Sequence, residues 1–158
     1  MRALILYIVV AVAACVVAGC SEELTPTPYT LSKLVSGETS KTWKISLFEY
    51  ALNDTVRTKF MEACLTDDRF KFYANTERLY ETTAGRQLCF EGEQALTSST
   101  WTFTNSNATL TMVMPIFDEG VLPFFVRELK ENKMVLELFL DQENTESYRI
   151  HFEKTDEE

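Results

Sequence analysis

The chain has 158 residues, enough for one domain with a substantial hydrophobic core and too few for two domains of ordinary size. Its 24 acidic and 15 basic residues leave a net charge of −9 with no basic stripe to offset it, and because such a surface repels phosphate, the composition excludes a nucleic-acid-binding protein. Eleven Phe, six Tyr and two Trp, against five Gly and four Pro, favour β structure, because large flat side chains suit a pleated surface.

Residues 1–19 are predicted to be a lipoprotein signal peptide. Arg2 gives a minimal positive start, and an apolar run without charge follows from Ala3 to Ala18. This run is marginal for a bilayer-spanning helix of about 20 residues. The small residues of Val17-Ala18-Gly19 stand directly before Cys20, and the segment resembles a bacterial lipobox. The alternative is an uncleaved membrane anchor that merely ends in a cysteine.

A lipobox implies that Cys20 is acylated, with chains such as palmitate, and that a membrane is a partner of the mature protein. Several acyl chains on one residue give stable anchoring, whereas a single chain is marginal. Residues 20–33 are then the lipidated cysteine and a flexible tether with two prolines. Ser21 in place of Asp favours the outer membrane of a bacterium. Glu22-Glu23 resembles a tag for export to the cell surface, but a solvated linker explains it equally well, so the periplasmic and surface faces both stay open.

The two remaining cysteines of the mature chain, Cys64 and Cys89, are predicted to form a structural disulfide. Outside the cytosol, two thiols left over in one small domain usually pair. A metal site lacks partners, because there is no second cysteine near either one and the chain has a single histidine. Thiol catalysis would need a base, and His151 is distant in the sequence.

Apolar residues from Lys41 onwards recur mostly at every second position, which indicates strands rather than helices. Trp43, Ile45 and Leu47, for example, alternate with polar residues. The pattern predicts eight strands, at 42–50, 69–73, 78–83, 99–104, 108–114, 124–129, 133–140 and 145–153. Short polar turns join most of them, so neighbours in the sequence are expected to pair antiparallel.

Eight antiparallel strands with one apolar face close most economically into an up-and-down barrel, which removes exposed edges. The predicted fold class is therefore all-β, with the barrel domain over residues 34–155. Two segments depart from this pattern. Val56 to Leu65 is predicted to carry a short helix after the first strand, and residues 31–37 another turn of helix that caps one end of the barrel.

Several motifs in order resemble a known family. They are Lys41-Thr-Trp43, Cys64-Leu-Thr-Asp67-Asp68-Arg-Phe70-Lys-Phe72, Trp101-Thr-Phe103 and Tyr148-Arg-Ile150-His-Phe152. Over about residues 30–155 the chain resembles the lipocalin-like domain of bacterial lipoproteins, a small calycin-type barrel. The resemblance implies this fold and a location in the cell envelope, without implying a particular substrate.

The segment Pro115 to Phe125 is apolar around an acidic turn and is predicted to lie at an open end of the barrel, where it could admit a small hydrophobic ligand. Six residues on the apolar strand faces are the predicted lining: Trp43, Phe72, Trp101, Phe103, Met112 and Tyr148. A filled barrel is the alternative, because the interior side chains are large. In that case the protein is a structural or interaction module with an envelope protein as its partner.

The sequence predicts no enzyme, no cofactor and no metal. Asp67 and Asp68 are adjacent, and consecutive strand residues point to opposite faces, so a role in capping backbone amides at the turn after Cys64 is preferred to a metal or acid–base pair. The chain contains no glycine-rich phosphate loop, no His-Glu-Xaa-Xaa-His and no Gly-Xaa-Ser-Xaa-Gly motif. Hydrolytic activity is kept only as a third alternative.

Overall fold

The computed structural model describes residues 28–89, 91–117 and 120–156 of the chain. The predicted signal peptide, the lipidation site Cys20 and the first part of the tether lie outside the described residues, so they stay predictions. Within those ranges, no helix is both long and apolar enough to cross a bilayer.

The described residues form two short α-helices, ten strands and two 3₁₀ turns. In chain order they are α1 (Pro28–Ser36), β1 (Ser40–Leu52), β2 (Thr55–Phe60), α2 (Ala63–Thr66), β3 (Arg69–Tyr73), β4 (Leu79–Thr83), β5 (Leu96–Thr100), β6 (Thr102–Thr104), a 3₁₀ turn (Asn105–Asn107), β7 (Thr109–Val113), a 3₁₀ turn (Pro115–Phe117), β8 (Val121–Leu129), β9 (Lys133–Phe139) and β10 (Glu146–Thr155).

All strands of the described residues belong to one antiparallel sheet in the order β5-β4-β3-β1-β10-β9-β8-β7-β6, with β2 paired to β1. The two ends of this order, β5 and β6, are consecutive in the chain and are separated only by Trp101. The sheet therefore curls into a nearly closed barrel, and the predicted all-β barrel class is confirmed. The predicted count of eight strands is wrong, because β2 was not foreseen and the strand at 99–104 is divided at Trp101.

The short helix predicted after the first strand is present, but it does not cover most of the predicted range 56–65. Residues Thr55–Phe60 form β2, and only Ala63–Thr66 is helical. The cause is a tight hairpin: Asn53 and Asp54 both have positive φ, 50° and 60°, as a two-residue turn of the primed type requires. The far half of the long strand β1 presents its edge to β2, and pairing with this edge decides the conformation.

The barrel has two ends of different character. At the helix end, α1 lies over the opening, with Val35 fully buried and its carbonyl accepting a hydrogen bond from Trp43 Nε1 at 2.8 Å. Lys41 Nζ fastens the same end by donating to the carbonyls of Leu34 and Glu131, at 2.8 and 2.9 Å. The predicted helical cap at 31–37 is therefore found. The opposite end, with the β1–β2 hairpin, α2 and the loop after β4, is called the disulfide end below.

The interior between the two ends is packed with large side chains. Trp43, Phe70, Phe72, Tyr80, Trp101, Leu110, Met112, Met114, Phe124, Met134, Leu136 and Phe152 have relative exposures below 2%. These residues come from nearly every strand, so the core lies along the barrel axis. The middle of the barrel is a hydrophobic core.

A charged network holds the outer face of β1, β8, β9 and β10 together around Glu137, which is fully buried. Ser147 Oγ and Arg149 Nε donate to Glu137 Oε1 at 2.6 and 2.8 Å, and Arg127 Nε donates to Oε2. Arg149 also contacts Asp54 in the hairpin turn. Burial alone would raise the pKa of Glu137, but these hydrogen bonds outweigh it and hold the pKa below its ordinary value.

We expect Glu137→Gln to destabilise the fold by about 1.5–3 kcal/mol at neutral pH, the range for hydrogen bonds to a charged group. Because the folded-state pKa is lowered, the contribution is fully present above the ordinary value of 4.5 and is lost as pH falls below it. Urea unfolding of both proteins between neutral and strongly acidic pH measures this difference. The exposed Glu143→Gln is the control, and a wild-type advantage that stays constant down to acid pH would contradict the assignment.

Candidate functional site

The disulfide end is closed on one side by a covalent bond between Cys64 and Cys89, with their Cα atoms 5.2 Å apart. Cys64 lies in α2, and Cys89 lies in the loop that connects β4 to β5. The predicted disulfide is confirmed. It ties this irregular loop, whose described residues contain no strand between Thr83 and Leu96, to the first half of the barrel.

A pocket of about 310 Å³ opens at this end, within the size range of small-molecule sites, roughly 300–1,000 Å³. Its walls are mostly apolar, with one carboxylate at the rim. The lining residues are Phe48, Phe60, Glu62, Leu65, Cys89, Ile116, Phe117 and Tyr148. They come from the β1–β2 hairpin, α2, the disulfide loop, the second 3₁₀ turn and β10, so the pocket exists only in the assembled barrel.

Aromatic rings form most of the pocket wall and hold one another in place. Phe48 and Phe60 are directly paired across the hairpin, with ring centroids 4.9 Å apart. Tyr148 meets Phe48 edge-on at 5.4 Å and stacks on Phe117 at 5.8 Å. Contacts of this geometry stabilise ring orientation beyond simple burial. The wall is thus largely preformed.

The described residues of the apolar segment 115–125 lie at this end of the barrel. Ile116 and Phe117 are half-buried in the pocket wall, and Leu122 packs against the core nearby. Phe125 points outward, is 38% exposed and contacts Phe139 at 5.2 Å. The described residues of the segment therefore divide their apolar side chains among the pocket, the core and the outer surface.

The six predicted lining residues are distributed over the whole barrel. Trp43, Phe72 and Met112 belong to the packed interior. Trp101 and Phe103 border a more polar cleft of about 410 Å³ at the helix end, beside Arg78 and α1. Tyr148 lines the pocket at the disulfide end. The structure does not bring the six together in one cavity.

Two adjacent carboxylates at the disulfide end contact the loop that follows β4. Asp68 Oδ1 accepts a hydrogen bond from the Gly85 amide at 3.0 Å, and Asp67 Oδ2 accepts one from the Arg86 amide at 2.7 Å. Both carboxylates therefore cap backbone amides, but in the loop after β4 and not at the turn after Cys64. Burial, with the nearby negative charges of Glu93 and Asp67, raises the pKa of Asp68 to about 6.

Sequence reasoning missed most of the pocket wall, notably Phe48, Phe60, Leu65 and Phe117. One signal for the first two was present. Asn53-Asp54 is a turn sequence between two segments that carry aromatic residues, and a hairpin centred there pairs Phe48 with Phe60. The remaining residues converge only through the closure of the barrel.

These features define a small antiparallel barrel protein with a filled middle and an apolar pocket at one end. The family model described as a lipocalin-like domain matches residues 39–136, well over half of the chain. The chain belongs to the lipocalin-like domain family, and this membership suggests a β-barrel that binds a small ligand. A search of the curated proteins finds none that matches the chain.

We expect replacement of both cysteines, Cys64→Ala with Cys89→Ala, to lower the free energy of unfolding by about 3.5 kcal/mol. This is the chain-entropy value for the sequence separation of 25 between the two residues. Urea titration followed by tryptophan fluorescence measures the change. Wild-type protein kept in reductant should lose a similar amount, whereas an oxidised wild type no more stable than the double variant would contradict the expectation.

Proposed function

We propose that the protein is a non-enzymatic binding module of the bacterial cell envelope, held on the outer membrane by a lipid on Cys20, which takes a small hydrophobic molecule into the pocket at the disulfide end. The observation that carries the proposal is the pocket itself. It is apolar, it is lined by aromatic rings, and it lies outside the packed interior, so a ligand can enter it while the core side chains keep their positions. Family membership supports the ligand-binding part of the proposal.

The dimensions of the pocket limit the ligand to a small molecule. Its volume of about 310 Å³ is at the lower end of the range for ligand sites. The side chains below it, Phe70 and Phe152, are packed edge to face with centroids 5.4 Å apart. A long acyl chain could not extend into the barrel axis without displacing them. A compact ring system or a short chain fits better.

The charge around the pocket favours an uncharged or cationic ligand. Among the described residues that line the pocket, Glu62 is the one that carries a charge, and it is exposed at the rim. The whole chain carries a net charge of −9. An anionic ligand would therefore meet repulsion at the entrance, whereas a hydroxyl or amine group could donate a hydrogen bond to the Glu62 carboxylate.

The anchoring part of the proposal is supported by the sequence around Cys20 and by where the chain enters the barrel. The helix end receives the chain through α1, and the seven residues between Cys20 and Pro28 let these two residues lie at most about 30 Å apart. The lipid would thus attach within about 30 Å of the start of α1. The pocket lies at the other end of the barrel from this helix.

An interaction module is a second candidate, and one observation favours it. Exposed apolar side chains cluster on the outer face next to the pocket: Val121 is 62% exposed, Leu140 44% and Phe125 38%. Phe125 and Leu140, with the half-buried Phe139 and Leu122, border a groove of about 400 Å³. Large exposed apolar groups in one place are typical of protein contact sites.

We expect purified protein to bind phenylnaphthylamine, an uncharged fluorescent probe, and Phe117→Ala to weaken this binding about tenfold, because the variant removes one ring from the pocket wall. Fluorescence titration measures both affinities. Phe125→Ala removes a ring from the outer face and is the matched control. Equal losses in the two variants, or no binding to the wild type, would refute the pocket as the ligand site.

The sulfonated counterpart of the same probe tests the charge argument within this experiment. Anilinonaphthalene sulfonate has the same ring system with an added negative charge, so it should bind more weakly than the neutral probe. Glu62→Gln should reduce the difference in affinity between the neutral and the sulfonated probe. If the difference in affinity is unchanged in this variant, Glu62 does not contribute to ligand recognition as proposed.

We expect Cys20→Ala to abolish incorporation of labelled palmitate and to leave the protein outside the membrane fraction, because the variant removes the acylated side chain. Gel analysis of labelled cells, with fractionation of the envelope, measures both effects. Cys15→Ala is the matched control, since it changes a cysteine within the segment predicted to be removed. Label retained in Cys20→Ala would show that the lipobox assignment is wrong.

A further inference from the structure

The polar cleft at the helix end has a volume of about 410 Å³ and is called the helix-end cleft below. One wall is the last turn of α1, another is the turn between β3 and β4, and Trp101 and Phe103 form the base. The mouth of a β-barrel is a common position for small-molecule sites, and this volume lies within their size range of roughly 300–1,000 Å³. The hydrophobic pocket at the disulfide end leaves this cleft without a role.

The guanidinium of Arg78 is held in place within the helix-end cleft. Its Cζ lies 5.2 Å from the centroid of the Trp101 ring, and its Nη1 donates to Thr102 Oγ1 at 3.5 Å. The edge formed by Nε and Nη2 makes no hydrogen bond within the described part of the chain. Such an edge can donate to both oxygens of a carboxylate or a phosphate at once.

The backbone at Arg78 fixes the direction of this side chain. Its φ is 51°, in the left-handed region that glycine adopts most easily. Its amide donates to the Asn75 carbonyl at 3.1 Å, and its carbonyl accepts from the Trp101 amide at 3.0 Å. An arginine therefore stands where a glycine would be less strained, which favours a role for its side chain beyond forming the turn.

The positive charge of Arg78 is not neutralised by a described carboxylate. The other basic residue of the cleft, Lys33, is paired with Glu38 at 2.7 Å, whereas Arg78 forms no ion pair in the part of the chain that the structure describes. The described lining thus has a positive excess, in a chain whose net charge is −9. A positive charge in a concave site attracts anions.

A second hydrogen-bond donor lies in the turn that carries Arg78. Asn75 Oδ1 accepts from the Leu79 amide at 2.9 Å, so the Nδ2 group of the same side chain keeps its two N–H donors. The wall formed by α1 offers few competing acceptors, because the carbonyls of Leu34 and Val35 already accept hydrogen bonds from side chains of β1. The polar groups of the cleft therefore suit an anionic ligand.

We propose that the helix-end cleft binds a small molecule that carries a carboxylate or phosphate group. The oxygens of this group would accept from the Nε–Nη2 edge of Arg78 and from Nδ2 of Asn75, and the rest of the molecule would lie between α1 and the half-buried Phe103. A soluble compound fits better than the headgroup of an anionic lipid, because the net charge of −9 repels an anionic membrane surface.

The test is titration of the full-length protein with phenyl phosphate, followed by saturation-transfer NMR of its ring protons. We expect saturable binding to the wild type, with inorganic phosphate as a competitor. Arg78→Gln should weaken binding at least tenfold, since it removes hydrogen bonds between charged groups. Arg86→Gln is the matched control, because it removes the same charge from an exposed side chain at the disulfide end and should leave the affinity unchanged.

Two further variants separate recognition of the anion from the stability of the turn. Arg78→Lys keeps the charge but lacks the planar fork, so its affinity should lie between those of the wild type and Arg78→Gln. Asn75→Asp keeps an oxygen for the Leu79 amide and leaves the contact of Arg78 with Trp101 in place. It adds a negative charge to the cleft and should abolish binding with little change in Tm.

Three results would overturn the proposal. The first is the absence of saturable transfer to phenyl phosphate in the wild type. The second is an equal loss in Arg78→Gln and Arg86→Gln, since it would show attraction to positive charge in general. The third is unchanged binding in Asn75→Asp. None of them depends on whether the pocket at the disulfide end binds a hydrophobic ligand, because the two sites lie at opposite ends of the barrel.

Discussion

Trp101 joins the two margins of the sheet, and the closure of the barrel depends on its contacts. Its backbone N–H donates to the Arg78 carbonyl at 3.0 Å, and its indole N–H donates to the Tyr73 carbonyl at 3.3 Å. The ring packs edge-on against Phe72 and Phe103, with centroids 5.8 and 5.9 Å away. One continuous segment can therefore pair with β4 before the tryptophan and with β7 after it. If the strand continued straight through Trp101, it could not pair with both β4 and β7.

The alternation of apolar residues was sufficient to predict most of the barrel, because a strand with one face in the core shows its period directly. It failed for β2, where Val56 and Phe60 are only half-buried and the other four side chains are exposed. Phe60 is the only residue of this strand that packs against the core, so the strand has no run of alternating buried residues that would reveal it. The hairpin turn at Asn53-Asp54 is the remaining local indication of this strand. The division of the strand into β5 and β6 at Trp101 also could not be predicted from the sequence. It results from the closure of the barrel and not from a local conformational preference.

The pocket and the carboxylates at the disulfide end could be predicted less well than the fold, and for a physical reason. Tyr148 and Phe117 stack across a distance that only the curled sheet makes short, and the carboxylates of Asp68 and Glu93 approach through a disulfide-bonded loop without regular structure. Periodicity reports which side of a strand a residue faces. It does not report how far along the barrel axis the residue lies, and for this reason the six predicted lining residues proved to be spread from one end to the other.

The disulfide has a second consequence beyond stability, because it forms part of the pocket wall. An empty apolar pocket tends to collapse, since contact between its walls recovers about 25 cal/mol for each Å² removed from water. Cys89 cannot move into the pocket without pulling Cys64, which is buried in the core beside Leu65. On the opposite side, the pairing of Phe48 with Phe60 fixes the hairpin. A pocket whose walls are held this way is formed before the ligand arrives, so less free energy of binding is lost to ordering them. The filled middle of the barrel therefore supports the walls of the apolar pocket, which lies at the disulfide end.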